Sequence, residues 1–244
     1  FPDRSYFYRH KDKYRYLELL PCAHVRTSYC CPYQCKFCYR NRLNCGVYTK
    51  RSIDSVVEEI KGIDCDNIYF IDDDFLVDAD RVARFVKRVK EENICKNYVC
   101  YGRADFITRH PGLMKELKEI GFYYILVGLE AVEDKYLKEY RKSSDTSCNT
   151  AAVKIVNDVG IHIMGMFIVD LDFRGRDFRN IYRWVKKNNL KHTAISIFTP
   201  EMSSELMEQY RERLITHNPE AWDYLHVVAK PSKLSVKMYY FHYH

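Results

Sequence analysis

The sequence has 244 residues, of which 47% are hydrophobic and 30% charged. These proportions are ordinary for a globular domain and exclude a disordered, collagen-like or coiled-coil chain. The formal net charge is +6, with the positive excess inside residues 1–50, and no apolar run approaches the roughly 18 residues of a membrane span.

Residues 1–21 show no clear periodicity, which predicts an irregular N-terminal lead-in. After it, short apolar runs alternate with longer charged stretches. Short apolar runs rich in Val, Ile, Tyr and Phe are typical of strands buried on both faces. The stretches between them have helical spacing, as in 79–92, where apolar residues recur at i, i+3, i+4 and i+7. We predict strands over 23–29, 67–71, 98–102, 122–128, 161–169 and 193–198, and helices over 52–61, 79–92, 111–120, 132–159 (in two pieces) and 177–190.

Six strand–helix units predict an α/β fold, a partial (β/α)6 barrel of the TIM type with parallel strands. We expect this barrel over residues 22–200, after the lead-in of residues 1–21. Residues 201–244 form a short C-terminal extension. Its aromatic end, 238–244, predicts a strand that pairs at an edge, or one whose continuation is missing.

Charged, polar or thiol groups follow every predicted strand. In parallel α/β folds, ligands bind where the strands end. A single carboxylate at such a place is often only a helix cap, but the agreement of all six strand ends indicates a shared site. The residues in question include a cysteine cluster after the first strand, then Asp72, Asp73 and Asp74, Arg103 and Asp105, Glu130, Asp170 and Asp172, and Thr199 and Glu201.

The cysteine cluster is the sharpest signal. Cys31, Cys35 and Cys38 form the pattern CxxxCxxC, and thiolates are soft ligands suited to zinc or iron–sulfur clusters. Structural zinc takes four ligands, so a fourth would come from Cys30, Cys45, Cys22 or His24. A 4Fe–4S cluster on three cysteines would instead leave one iron open, as a catalytic site requires. A group of closely spaced metal-binding cysteines is typical of a reduced compartment. We therefore expect a cytoplasmic protein.

The motif, its position and the six units resemble the radical S-adenosylmethionine (radical SAM) superfamily over about residues 22–200. The resemblance implies that Cys31, Cys35 and Cys38 hold an oxygen-sensitive 4Fe–4S cluster whose open iron binds S-adenosylmethionine. One electron, from a donor such as flavodoxin or ferredoxin, would cleave this cofactor. The resulting 5′-deoxyadenosyl radical would abstract hydrogen from a substrate. Phe37 would pack near the adenine.

Three further stretches, 72–75, 101–105 and 127–130, resemble the branch of cobalamin-binding-type members and anaerobic magnesium-protoporphyrin ester cyclases. This implies that Asp72, Asp73 or Asp74 binds the amino group of S-adenosylmethionine. The resemblance further implies that Arg103 and Glu130 contact its carboxylate and ribose, and that Met166 lies beside the adenine. Cobalamin is a further candidate cofactor, held by a missing or separate domain.

The expected reaction is methylation, cyclisation or rearrangement of an apolar or tetrapyrrole-like substrate, a small or lipid-like molecule. One alternative is an RNA-modifying member, favoured by the basic character of residues 1–50, which include Arg4, Arg9, Lys11 and Lys13. Nucleic acid has little other support, because no known RNA-binding module is present. Another alternative is a non-catalytic interaction protein with structural zinc or an iron–sulfur cluster.

Overall fold

A computed structural model describes residues 1–244, apart from the side chains of residues 43 and 44. The strands are β1 (Ala23–Val25), β2 (Ser28–Tyr29), β3 (Thr49–Lys50), β4 (Asn67–Phe70), β5 (Asn97–Arg103), β6 (Phe122–Glu130), β7 (His162–Val169) and β8 (His192–Ile197). Six of them form one parallel sheet in the order β1-β4-β5-β6-β7-β8, while β2 and β3 form a small antiparallel pair.

Helices connect the strands and pack against the sheet. They are α1 (Ser5–Arg9), α2 (Ile53–Lys61), α3 (Ala79–Glu91), α4 (Ala104–Arg109), α5 (Pro111–Glu119), α6 (Asp134–Glu139), α7 (Thr146–Asp158), α8 (Gly175–Lys187), α9 (Met207–Tyr210) and α10 (Val236–Tyr243). Short 3₁₀ turns lie at Lys11–Lys13, Arg40–Gly46, Arg211–Arg213 and Pro219–Ala221.

The sheet is open, because β1 and β8 lie at its two edges and do not pair with each other in the described chain. The predicted α/β fold with six parallel strands in a partial barrel is confirmed. The domain boundaries near residues 21 and 200 remain predictions. Within the described residues, no helix combines the length and the apolar character needed to cross a bilayer.

The periodicity of α3 explains how the helices attach. Val82, Phe85, Val86 and Val89 are all buried in the main core, and burial of each such side chain stabilises the fold by about 1.5–3 kcal/mol. The Asp78 carboxylate accepts a hydrogen bond from the Arg81 N–H at 3.1 Å and so caps the first turn.

The inner face of the sheet has its own apolar cluster, centred on Tyr69, Val99 and Tyr124. The lead-in closes part of this face, because the Tyr16 ring stacks on Tyr69 with centroids 3.9 Å apart. The lead-in is less irregular than predicted: it contains α1, whose Phe7 side chain is buried.

The first predicted strand divides into two pieces with different partners. β1 joins the main sheet, whereas β2 pairs with β3. The strand divides because the Asp72 carboxylate accepts hydrogen bonds from the N–H groups of Thr27 and Ser28, at 2.6 and 3.1 Å. These groups are therefore unavailable to the sheet.

The predicted strand at 238–244 is wrong, since this segment lies in α10. Ser235 caps the helix by accepting a hydrogen bond from the Met238 N–H at 3.2 Å. The aromatic residues contact the sheet through their hydroxyls instead. Tyr239 donates to the Val169 carbonyl and Tyr243 to the Ile195 carbonyl, each at 2.8 Å.

We expect Gly121→Ala to destabilise the fold by about 2 kcal/mol or more, because two effects add at this position. Gly121 has φ +101°, and a Cβ atom there would lie 2.0 Å from the Lys96 carbonyl oxygen. Gly112→Ala is the matched control: it meets no atom within 4 Å and should be neutral or up to about 1 kcal/mol stabilising. Urea unfolding midpoints measure both, and equal midpoints would contradict the expectation.

Candidate active site

A cavity of about 420 Å³ opens at the carboxyl ends of the parallel strands. Its wall brings together every residue that the family resemblance implies for the cluster and S-adenosylmethionine, although their roles remain predictions. These residues are Cys31, Cys35, Cys38, Phe37, Asp72, Asp73, Asp74, Arg103, Glu130 and Met166.

The cysteine loop, residues 30–39, is held against the sheet by its backbone and by one ring. The Lys36 N–H donates to the Tyr140 carbonyl at 3.1 Å, and the Phe37 ring meets the Tyr140 ring edge-on at 5.4 Å. Inside the loop, the Cys38 N–H donates to the Cys35 carbonyl at 3.1 Å. The loop is therefore fixed by contacts that leave the motif thiols facing the cavity.

The thiols are a donor set suited to a metal group. Burial, with Asp74 nearby, raises the pKa of the Cys31 thiol to about 12, and burial raises that of Cys38 to about 11. Both thiols are protonated at neutral pH without a metal. A bound metal group would displace these protons, so binding would release them to solvent.

The geometry does not favour a single ion. Among the described side chains, no three His, Cys, Asp or Glu residues are grouped as one metal ion requires. Structural zinc needs its ligands about 2.0–2.3 Å from one centre, whereas cysteines of a 4Fe–4S cluster each bind a different iron. Three thiols on one loop are a donor set that a 4Fe–4S cluster accepts.

The fourth ligands considered for zinc lie elsewhere. The Cys30 Sγ is 3.3 Å from the Arg40 carbonyl, to which the thiol donates. Cys22 belongs to the apolar cluster on the inner face of the sheet. Neither residue lines the cavity, nor do His24 and Cys45.

The three adjacent aspartates have different environments. Asp72 is committed to Thr27 and Ser28, whose N–H and hydroxyl groups donate to both of its oxygens. Asp73 pairs with the Arg40 guanidinium at 2.9 Å. Asp74 is fully enclosed: its Oδ1 accepts from the Leu76 N–H at 3.0 Å, and its Oδ2 has no partner among the described residues.

Arg103 ends β5 and is almost fully buried. Its Nε donates to Asp105 at 2.9 Å, its Nη1 lies 3.7 Å from the Cys35 Sγ, and its guanidinium stacks on the Tyr33 ring at 3.7 Å. Its Nη2 has no hydrogen-bond partner among the described groups. Asp74 Oδ2 and Arg103 Nη2 are thus a buried acceptor and a buried donor on one cavity wall, and neither has a hydrogen-bond partner among the described groups. Buried polar atoms without a partner are rare in folded proteins.

Glu130 forms a buried ion pair that the sequence analysis missed. Its Oε1 lies 2.8 Å from the Lys142 Nζ, and both side chains are at most 10% exposed. Lys142 follows α6 in a connecting loop, so neither helical spacing nor a strand end indicated it. Two buried cations, Lys142 and Arg103, therefore lie near the thiol of Cys35.

Three predicted strand-end carboxylates do not line the cavity: Asp105, which pairs with Arg103, and Asp170 and Asp172. Asp170 accepts a hydrogen bond from the Tyr140 hydroxyl at 2.8 Å, and Asp172 pairs with Arg213 at 2.6 Å. These contacts hold α6 and the C-terminal extension in place. The carboxylates of Asp170 and Asp172 are therefore already bound to partners within the fold.

The deeper wall of the cavity is mostly apolar. Tyr69, Ile71, Tyr101 and Met166 line it, and they belong to or pack on the cluster of the inner sheet face. The site thus has a charged upper wall with three thiols and a deeper wall of aromatic and aliphatic groups.

The basic lead-in offers less free charge than its sequence indicates. Arg4 forms an ion pair with the buried Glu59, which Arg51 also contacts. Lys11 pairs with Asp64 at 2.8 Å. Two of the basic residues named for the RNA alternative, Arg4 and Lys11, are therefore paired within the fold.

Comparisons with known proteins agree with this site. A family model described as the radical SAM superfamily matches residues 25–185, about two thirds of the chain. The hopanoid C-3 methylase of Methylococcus capsulatus is 26% identical over 232 residues, which cover 95% of this chain and 45% of the relative. The anaerobic magnesium-protoporphyrin IX monomethyl ester cyclase of Synechocystis sp. is 25% identical over 146 residues, covering 59% of this chain and 29% of the relative.

A solved structure has the same fold. The cobalamin-dependent S-adenosylmethionine radical enzyme OxsB, with aqua-cobalamin and S-adenosylmethionine bound, superposes with a TM-score of 0.67 at 16% identity. The match covers 87% of this chain and 39% of that structure. The chain spans less than half the length of these relatives.

We expect Asp74→Asn to weaken the dependence of stability on pH. Burial raises the pKa of Asp74 to about 7, against about 3.9 when unfolded, so the native state retains a proton that the unfolded state releases. The contribution of this carboxyl to the free energy of unfolding therefore falls as pH rises from about 4 to 7, by an amount of the order of 4 kcal/mol.

The measurement is thermal unfolding of iron-free protein between pH 4.5 and 8. The variant should lose markedly less stability over this interval than the wild type. Parallel curves for the two proteins would contradict the assignment of this carboxyl.

Proposed function

Because this chain belongs to the radical SAM superfamily, we propose that it uses a 4Fe–4S cluster and S-adenosylmethionine to initiate radical chemistry on an apolar, ring-containing substrate. The observation that carries the proposal is one cavity whose wall holds three thiols, an unpartnered carboxylate oxygen and an unpartnered guanidinium nitrogen. When bound, the cluster and S-adenosylmethionine supply one-electron cleavage of the sulfonium and a radical that abstracts hydrogen.

Cys31, Cys35 and Cys38 are the proposed cluster ligands. Three thiolates leave one iron open for a small ligand. Arg103, Lys142 and Arg40 lie around the cysteine loop, and their positive charge would offset the negative charge of thiolates and cluster. The Phe37 ring packs edge-on against Tyr140 beside the loop.

Asp74 and Arg103 are suited to the amino acid part of S-adenosylmethionine. Ammonium and guanidinium groups both donate charge-assisted hydrogen bonds to carboxylates. Asp74 Oδ2 would accept from the amino group, and Arg103 Nη2 would donate to the carboxylate. Of the three adjacent aspartates, Asp74 fits this role best, because Asp72 and Asp73 are already committed to other partners.

The substrate class is proposed from the deeper wall. Tyr69, Ile71, Tyr101 and Met166 offer aromatic and aliphatic surface, which favours an apolar ring system over a charged polymer. The names of the relatives, a hopanoid methylase and a protoporphyrin ester cyclase, support methylation or cyclisation of such a ring. Cobalamin, held outside the described residues, is the proposed partner cofactor for methyl transfer. A flavodoxin or ferredoxin in the reduced cytoplasm is the proposed electron donor.

The cluster is tested by anaerobic reconstitution with iron and sulfide, followed by electron paramagnetic resonance of the reduced protein. We expect a cluster signal that changes when S-adenosylmethionine is added, because one iron has an open position. Cys35→Ala should lose the cluster yet keep the fold, as judged by circular dichroism. Cys95→Ala, at an exposed site, is the matched control and should keep the cluster.

Two results would overturn the cluster proposal. One is a cluster signal that does not change when S-adenosylmethionine is added, which indicates that four protein ligands hold the cluster. The other is a colourless protein with one bound zinc, in which Cys35→Ala unfolds the chain because the metal is structural.

The substrate class is tested by anaerobic turnover with polycyclic triterpenes, tetrapyrroles, RNA and peptides. We expect turnover with apolar ring compounds. Tyr101→Lys should then lower kcat/KM at least about tenfold, because it buries an unpaired charge in the apolar wall. Tyr182→Lys, at a site 64% exposed, is its control. Turnover only on RNA or peptide would contradict the proposed class.

A further inference from the structure

The outer side of α8 carries a row of positive charges. The helix has five basic residues and one acidic residue, Asp177, which is buried. Four of its cations are exposed and form no ion pair with the described residues. These four are Arg179, Arg183, Lys186 and Lys187. Because Arg179, Arg183 and Lys187 follow one another at intervals of four residues, like charges lie one turn apart and repel each other.

The acidic groups beside this row already have partners. The Asp177 carboxylate lies 3.6 Å from the Arg176 guanidinium. The Glu133 carboxylate lies 3.0 Å from the Lys135 ammonium and accepts a hydrogen bond from the Asn180 side chain at 3.1 Å. The outer side of α8 therefore keeps a net positive charge within the described structure, and this charge attracts anions.

The C-terminal helix α10 packs directly against α8. The His242 ring stacks on the Phe178 ring with centroids 5.7 Å apart, and the Tyr239 ring meets Phe178 edge-on at 5.2 Å. A Cβ atom at Gly175 would lie only 2.5 Å from the His242 Nε2. The outer sides of the two helices therefore adjoin and form one continuous surface.

The part of this surface that α10 contributes is apolar as well as basic. Phe241 is 72% exposed and Met238 is 42% exposed. Met238 lies four residues before His242 and Phe241 directly precedes it, so both are close to the contact with α8. Lys237 is exposed too and adds a positive charge. We call Arg179, Arg183, Lys186, Lys187, Lys237, Met238 and Phe241 the α8–α10 face.

A lipid surface with anionic headgroups matches both features of this face. Its phosphates attract Lys and Arg side chains, and the acyl boundary beneath them accepts Phe and Met side chains. RNA or an acidic protein would supply the charge without hydrocarbon beside it. The apolar side of α8, with Phe178 and Ile181, is buried in the fold, so α8 would lie on the lipid surface and would not insert.

We propose that the α8–α10 face is a docking surface for an anionic lipid bilayer, with its cations on lipid phosphates and with Phe241 and Met238 among the upper parts of the acyl chains. The inference goes beyond the proposed function and does not depend on it. Binding through side chains of one face is peripheral and reversible. Apolar ring compounds, the proposed substrates, partition into the same lipid surface.

The test is flotation of the reconstituted chain with vesicles of phosphatidylcholine and phosphatidylglycerol in equal parts, compared with vesicles of phosphatidylcholine alone. We expect binding to the anionic vesicles only, and added salt should weaken it. Arg183→Gln combined with Lys186→Gln should weaken binding about tenfold or more. Lys115→Gln combined with Lys118→Gln removes the same charge from exposed sites on α5, and this matched control should bind as the wild type does.

Phe241→Ser separates lipid insertion from charge attraction, because it leaves every charge in place. It should weaken binding to anionic vesicles about fivefold or more, since the buried apolar area is lost. Phe1→Ser is the matched control at a site that is 75% exposed, and it should leave binding unchanged.

Absence of binding to anionic vesicles, or an equal loss in the α5 and α8 double variants, would overturn the docking surface. Vesicle binding that Phe241→Ser leaves unchanged, together with comparable binding to RNA or polyglutamate, would assign the face to a soluble polyanion and also overturn the proposal. None of these measurements requires turnover, so the proposed function is judged separately by its own experiments.

Discussion

The carboxylate of Asp72 determines where the cysteine loop begins. It lies just after β4 and takes the N–H and hydroxyl groups of Thr27 and Ser28. These bonds end the contribution of the first strand to the sheet and turn the chain across the carboxyl edge. The hydrogen bonds are buried, and a buried N–H without a partner costs about 1–3 kcal/mol. The position of the three thiols over the cavity therefore depends on a residue of the neighbouring strand.

Charge inside the cavity wall is distributed in two ways. Glu130 and Lys142 pair through one carboxylate oxygen, beside a bulge and two residues with positive φ. Asp74 and Arg103 are equally enclosed, yet each leaves one polar atom without a protein partner. A folded protein tolerates such atoms where a ligand completes them. The polar atoms without a protein partner are thus the ones suited to bind a ligand.

The regular part of the fold was predictable from local pattern. The apolar runs and the spacing in α3 identify strands and helices, since each strand is buried on both faces and each helix on one. The C-terminal segment was not predictable, because aromatic residues fit a strand or a helix equally well. The helix is stabilised by the Ser235 cap and by the hydroxyl contacts of Tyr239 and Tyr243 with the sheet. The break after β1 depends on Asp72, a partner more than forty residues away in sequence.

The sequence by itself determined the class of fold, the cysteine motif and the set of strand-end residues that surround the cavity, because parallel strands bring their carboxyl ends to one edge. Only the tertiary structure decided which of those residues are free to bind. Asp72, Asp170 and Asp172 are occupied by Thr27, Tyr140 and Arg213, whereas Asp74 and Arg103 retain open hydrogen-bonding capacity. The reason is that the use of a polar group depends on its neighbours in space, and strand and helix periodicity encodes only which face is buried.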